Sequence, residues 1–122
     1  MAQNGFGEAL QAQWIGEEMA DGLAERLGIN KRELALSAGL APATLQRKTR
    51  AAAPATVTRL SEVAEVINRV AGWAGGERQA FAWYRSEPLP EFGGRTAESL
   101  VKAGKASAVR DYLDHLALGG FA

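Results

Sequence analysis

Arg47, Lys48 and Arg50 lie close together in the chain, beside Ala43, Thr44 and Gln46. Side chains of these types suit nucleic acid. Arginine pairs with guanine edges or phosphate, lysine with phosphate, and glutamine with adenine edges. The surrounding charge points the same way. Residues 26–59 hold seven bases (Arg26, Lys31, Arg32, Arg47, Lys48, Arg50, Arg59) against one acid, Glu33, a local net charge of +6. Residues 1–25 hold five acids and no base, and residues 60–122 hold eight acids and seven bases, so the chain-wide net charge of zero conceals the basic stretch. Concentrated positive charge attracts phosphate. The alternative is a face that is merely solvated.

A second candidate group is Gly119-Gly120-Phe121-Ala122. An aromatic side chain after two glycines is a poor core residue but a good plug for a partner's pocket. Phe121 folding back on the preceding helix as a C-cap contact is the alternative, and the residues alone leave both open.

Catalytic chemistry finds little purchase. There is no cysteine, and His115 is the only histidine, which excludes a disulfide framework, thiolate metal sites and histidine clusters. Glu17, Glu18, Asp111 and Asp114 occupy ordinary helix-surface positions without a nucleophile or metal-ligand partner. Gly93-Gly94 does not lead from a strand into a helix, as a phosphate-binding loop would. The expectation is a protein that is not an enzyme and needs no cofactor or metal.

The elements that must position these residues read as all-α. Ile15, Met19, Leu23 and Leu27 recur on one helical face that Gly28 closes. Phe6, Leu10 and Trp14 could add a helix at the N-terminus, its start loosened by Gly5 and Gly7. Asn30 suits the N-cap of a helix through Ala38, stopped by Gly39, and Pro42 the first turn of the next, which carries Leu45 inward. Leu60, Val63, Ala64, Ile67, Val70, Ala71 and Ala74 form the stripe of a longer helix ended by Gly75 and Gly76. Phe81 and Tyr84 share a helix that stops before Pro88 and Pro90, with Trp83 expected in the core more than at a contact. Thr96 caps a short helix ended by Gly104. Val109, Tyr112, Leu113, Leu116 and Ala117 face inward on the last helix. No apolar run approaches the ~20 residues that span a bilayer, and the N-terminus lacks the pattern of a signal peptide. A soluble, cytoplasmic protein without membrane contact is expected.

Lys31 to Lys48 fits a helix-turn-helix. Leu34 and Ala35 face inward on the first helix, Gly39 suits the left-handed turn, Leu40 is the turn's buried residue and Leu45 anchors the second helix. That second helix would enter the major groove, presenting Ala43, Thr44, Gln46, Arg47 and Lys48, with Arg50 beyond. Two-fold dimers read paired half-sites. Phe6, Leu10 and Trp14, which the helix-turn-helix does not need, are candidates for the homodimer contact.

Residues 60–122 carry a further ordered set: Trp83-Tyr84, Glu87-Pro88-Leu89-Pro90, Gly94-Arg95-Thr96-Ala97-Glu98-Ser99-Leu100-Val101, Gly104, Val109, Leu113 and Gly119-Gly120-Phe121-Ala122. This resembles the toxin-binding domain of the Xre/MbcA/ParS antitoxins, and the family's Xre-like helix-turn-helix covers most of the remainder. Gly93-Gly94 departs from the more constrained loop common in the family, and residues 1–15 have no counterpart in it. The resemblance implies an all-α fold. A helix-turn-helix DNA-binding domain (residues 1–59) would pack with a small helical toxin-binding domain (residues 60–122). It also implies a type II toxin–antitoxin system. The antitoxin would cover the active site of a RES-domain toxin that consumes NAD or ADP-ribosylates a target, and would repress its own operon at operator DNA, as a homodimer or in a higher toxin–antitoxin complex. Toxin contacts are then expected at Pro88 and Leu89, at Arg95, Lys102, Lys105 and Arg110 if the toxin surface is acidic, and at Gly119, Gly120, Phe121 and Ala122. A stand-alone helix-turn-helix transcriptional regulator, with no toxin, is the rival reading.

Overall fold

A computed structural model describes residues 4–120 of the chain, with side chains from 16 to 119. Among these residues there are seven α-helices and no strand. The chain divides into two compact units, Met1–Ser61 and Glu62–Ala122.

The first unit begins with α1, Asn4–Leu27, which takes Gly5 and Gly7 into the helix instead of starting after them. The side chains of Phe6, Leu10, Trp14 and Ile15 lie outside the described residues. The buried face of α1 is made of Gly16, Ala20, Leu23, Ala24 and Leu27, whereas Met19, expected on that face, is half-buried. Small residues replace large ones there because another backbone comes close. A Cβ placed on Gly16 would sit 2.4 Å from the Ala51 carbonyl oxygen.

Helix α2, Lys31–Ser37, starts and stops where its sequence requires. The Asn30 side-chain oxygen accepts the Glu33 backbone N–H at 2.8 Å. At the other end the Gly39 N–H reaches Leu36 O (3.1 Å) and the Leu40 N–H reaches Ala35 O (2.8 Å). This paired closure needs a left-handed residue at Gly39, whose φ is 74°. Gly28 and Gly104 close their helices by the same pair of bonds. Asn30→Ala leaves the Glu33 N–H to water and is expected to cost about 1 kcal/mol. A thermal-unfolding midpoint within a degree of the parent would show that the cap contributes nothing.

The expected second helix of the helix-turn-helix is not continuous. Pro42 and Ala43 form a turn, Thr44–Gln46 a single 3₁₀ turn, and Arg47 is extended (φ −115°, ψ 125°) before α3, Lys48–Ala51. Leu45 and Ala51 are both buried. On one α-helix they would point about 120° apart, at roughly 100° per residue. Breaking the helix at Arg47 allows both to face the core. The first turns of α4, Pro54–Ala74, complete this unit with buried Thr56 and Leu60. The Arg59 guanidinium donates to the Ala38 carbonyl at the end of α2 (2.8 Å).

The second unit takes the remainder of α4, with Val63, Val66, Ile67 and Val70 fully buried. Helix α5 is Glu77–Ser86, a 3₁₀ turn spans Pro90–Phe92, α6 is Ala97–Lys102, and α7 is Ala106–His115, followed by one wide turn, Leu116–Gly120. Thr96 caps α6, its hydroxyl accepting the Ser99 N–H at 3.1 Å. The core joins that α4 face to Phe81, Tyr84, Leu100, Val101, Val109 and Leu113, all buried. No helix among the described residues is long and apolar enough to cross a membrane.

Candidate functional site

The basic stretch and the acidic N-terminal block, separate in sequence, meet in the first unit. Lys31 Nζ lies 2.9 Å from Asp21, and Lys48 Nζ 4.0 Å from Glu17, both acids on α1. Arg59 is held at the end of α2. Part of the +6 of residues 26–59 is therefore committed within the fold. Arg32, Arg47 and Arg50 are exposed and have no acidic partner among the described residues. Ala43, Gln46 and Lys48 are exposed with them, and Thr44 is half-buried.

In the second unit the residues expected to meet a toxin have diverse roles. Pro88 is exposed, but Leu89 is fully buried. Its N–H donates to Arg95 O (2.9 Å) and its carbonyl accepts the Gly94 N–H (3.0 Å), an isolated antiparallel bridge across the loop. Leu89 thus pins the loop to the core and has no side-chain surface to offer a partner, which corrects its assignment as a contact. The turn between Leu89 and Arg95 is built on Gly93 and Gly94, both at positive φ (68° and 87°). Arg95 lies back along α6, donating from Nε to Ser99 Oγ (3.3 Å) and from the guanidinium to Ser99 O (3.1 Å). Arg110 is half-buried and bonded to Glu65 at 3.3 Å. Lys105 is exposed, with no acidic partner among the described residues. Lys102 reaches Glu98 at 4.0 Å. Glu87 and Glu91 flank the proline loop, exposed. Tyr112, edge-on to Phe92 at 5.9 Å, has its phenol pushed above the usual range by burial, then by Glu91 and Glu87. Gly119 is exposed with φ 97°. Phe121 and Ala122 lie outside the described residues.

Another feature escaped the sequence reading. Arg69, Trp73, Leu113, Leu116 and Ala117 line an open groove of about 250 Å³. Trp73 is 57% exposed and stands edge-on to Trp83 at 5.7 Å. Trp83, expected in the core, is half-buried. The only signal for the groove was a tryptophan on α4 lying off the helix's apolar stripe. Among the described residues no group of three or more His, Cys, Asp or Glu could hold a metal ion.

Residues 73–119 match the family model of the antitoxin Xre/MbcA/ParS C-terminal toxin-binding domain. No curated protein and no solved structure matches the chain.

Proposed function

We propose that this chain, a non-enzymatic antitoxin carrying the Xre/MbcA/ParS C-terminal toxin-binding domain, neutralises a RES-domain toxin and represses its own operon. The match over residues 73–119 supports the antitoxin part of the reading. The RES class of the toxin, which consumes NAD or ADP-ribosylates a target, rests on the resemblance of the ordered set from Trp83 to Ala122. The toxin meets the domain through Pro88, Lys105, Gly119 and the segment through Ala122, and Leu89 holds the loop that presents Pro88. Arg95 and Arg110 join this surface only by releasing Ser99 and Glu65. Co-expression tests the reading: the gene beside this one should encode a RES-domain protein, and this chain should restore growth to cells making it. Growth arrest that persists despite expression of both proteins sinks it.

Operator binding falls to Ala43, Thr44, Gln46, Arg47, Lys48 and Arg50. Its support is the exposure of Arg47 and Arg50 without acidic partners among the described residues, in a segment of local charge +6. The break at Arg47 makes this surface a 3₁₀ turn and a short helix, so phosphate contact outweighs base readout in it. A homodimer would place two copies on paired half-sites. Arg47→Ala with Lys48→Ala should weaken operator binding and lower the slope of log affinity against log salt by about 2, one counterion per lost phosphate contact. Toxin binding should not change. A mobility-shift titration with the parent's affinity and salt slope would remove the assignment.

A further inference from the structure

Charge does not select the partner of the second unit. Residues 73–119 hold six acidic and six basic side chains, and several pair with one another or with α4, such as Lys102 with Glu98 and Arg110 with Glu65. Apolar surface is more distinctive. Trp73 is 57% exposed, and Leu118, next in the chain after Ala117, is 88% exposed. Large apolar side chains left in water on a small protein mark an interaction surface when they adjoin a concave site. Trp73 does adjoin one, the groove lined with Leu113, Leu116 and Ala117.

We infer that the toxin seats an apolar side chain, aromatic or branched aliphatic, in the groove beside Trp73, making Trp73, Leu116 and Ala117 the anchoring centre of toxin binding. The inference rests on the antitoxin reading and names the surface that carries it. The occupant follows from continuity with the toxin-binding domain: the matched span opens at Trp73 and closes at Gly119, so Trp73, Leu113, Leu116 and Ala117 all belong to it. The chemistry of the occupant follows from the lining. The charged member, Arg69, is hydrogen-bonded to the Asp114 carboxylate, and the other lining residues are apolar, so a charged guest would enter without a counterpart. Size agrees, since a cavity of roughly 150 Å³ already accommodates a benzene ring. The edge-on contact with Trp83 orients the Trp73 ring before the partner arrives, which reduces the ordering cost of binding.

The test measures affinity between this chain and the RES-domain toxin that the proposed function expects beside its gene, by calorimetry. Trp73→Ala should weaken binding about 30-fold or more, the loss expected of a tryptophan hot spot. Ala117→Arg, at an exposed position whose new side chain would occupy the groove, should do the same. Leu36→Ala removes an exposed apolar side chain from the first unit (44% exposed) and should leave affinity unchanged. Thermal unfolding of each variant checks that the fold persists. Parent-like affinity for both Trp73→Ala and Ala117→Arg overturns the groove while leaving the antitoxin reading intact. No binding by the parent chain overturns the antitoxin reading itself. Altered molar mass of the free variants with unchanged toxin affinity also overturns the inference, because the groove then serves a second copy of this chain.

Discussion

Gly16→Ala should destabilise the protein, and Gly22→Ala, the same change in the same helix, should stabilise it. Both glycines lie within α1, and neither has a positive φ. In a helix interior alanine is favoured over glycine by about 1 kcal/mol, largely through the entropy of the unfolded chain. At Gly22 nothing lies within 4 Å of an added Cβ, so that gain is realised. At Gly16 the new carbon would stand 2.4 Å from Ala51 O and 2.7 Å from Ala52 Cα. Both are backbone atoms, which cannot rotate aside, so α1 and α3 must separate. Overpacking of this kind costs about 1–3 kcal/mol. The opposing terms leave Gly16→Ala less stable than the parent by up to about 2 kcal/mol. Lys48 and Arg50 ride on α3, so operator affinity should fall with Gly16→Ala and hold with Gly22→Ala. Urea denaturation of the two variants with a common slope reads the difference directly. Equal or greater stability for Gly16→Ala would mean that α1 and α3 do not meet at Gly16.

Local chemistry made the helix ends legible in the sequence. Asn30, Thr96, Gly28, Gly39 and Gly104 act within a few residues of themselves, and each sits at the helix end where its side chain or backbone freedom is used. Apolar periodicity located Leu60, Val63, Ile67 and Val70 on α4 and Val109 and Leu113 on α7, but Val66 also turned inward on α4, Tyr112 and Leu116 are only half-buried, and Ala117, expected to face inward, is exposed. What failed depended on partners distant in sequence. The close approach of α3 moved the buried face of α1 onto small residues, and no periodicity of large side chains reveals that. Pro42 and Leu45 pointed to one continuous second helix, but Leu45 and Ala51 must both reach the same core, which one helix does not allow. Leu89 was expected at the toxin contact from the family resemblance alone, but it is buried in a loop closed by the bridge to Arg95. The charge blocks of residues 1–25 and 26–59 read as separate features, while Asp21 and Glu17 lie against Lys31 and Lys48. The groove was marked in the sequence by nothing beyond the off-stripe Trp73 for the same reason: its lining comes from α4 and from the end of α7 and the turn after it, forty or more positions apart, as Arg69 and Asp114 are (45 residues).

Deleting residues 119–122 should give a protein that still binds the toxin yet no longer inhibits it. Anchoring and occlusion then belong to different parts of the chain. On the proposed reading the helical domain supplies anchoring, through the loop at Pro88 and the groove lined by Trp73, Leu116 and Ala117. On that same reading the segment Gly119-Gly120-Phe121-Ala122 would supply occlusion. Gly119 leaves the helical path at φ 97°, a conformation that costs little for glycine and redirects the chain at the point where the segment begins. Removing one aromatic anchor costs on the order of 2–4 kcal/mol if Phe121 is a hot spot, up to about a thousandfold in affinity. That loss leaves a complex that forms when the truncated chain is supplied in excess. With the proposed RES-domain toxin saturated in this way, NAD should reach its active site and be consumed. Inhibition at a distance, by holding the toxin in an inactive arrangement, predicts the opposite: turnover stays suppressed for as long as the complex persists. The measurement is NAD consumption by toxin saturated with the truncated chain, with saturation verified separately by calorimetry. Turnover equal to that of free toxin supports the plug, and full inhibition by the bound, truncated chain rules it out. Phe121→Ala in the full-length chain separates the aromatic ring from the segment that carries it. If the ring is the plug, this single substitution releases most of the turnover that the deletion releases.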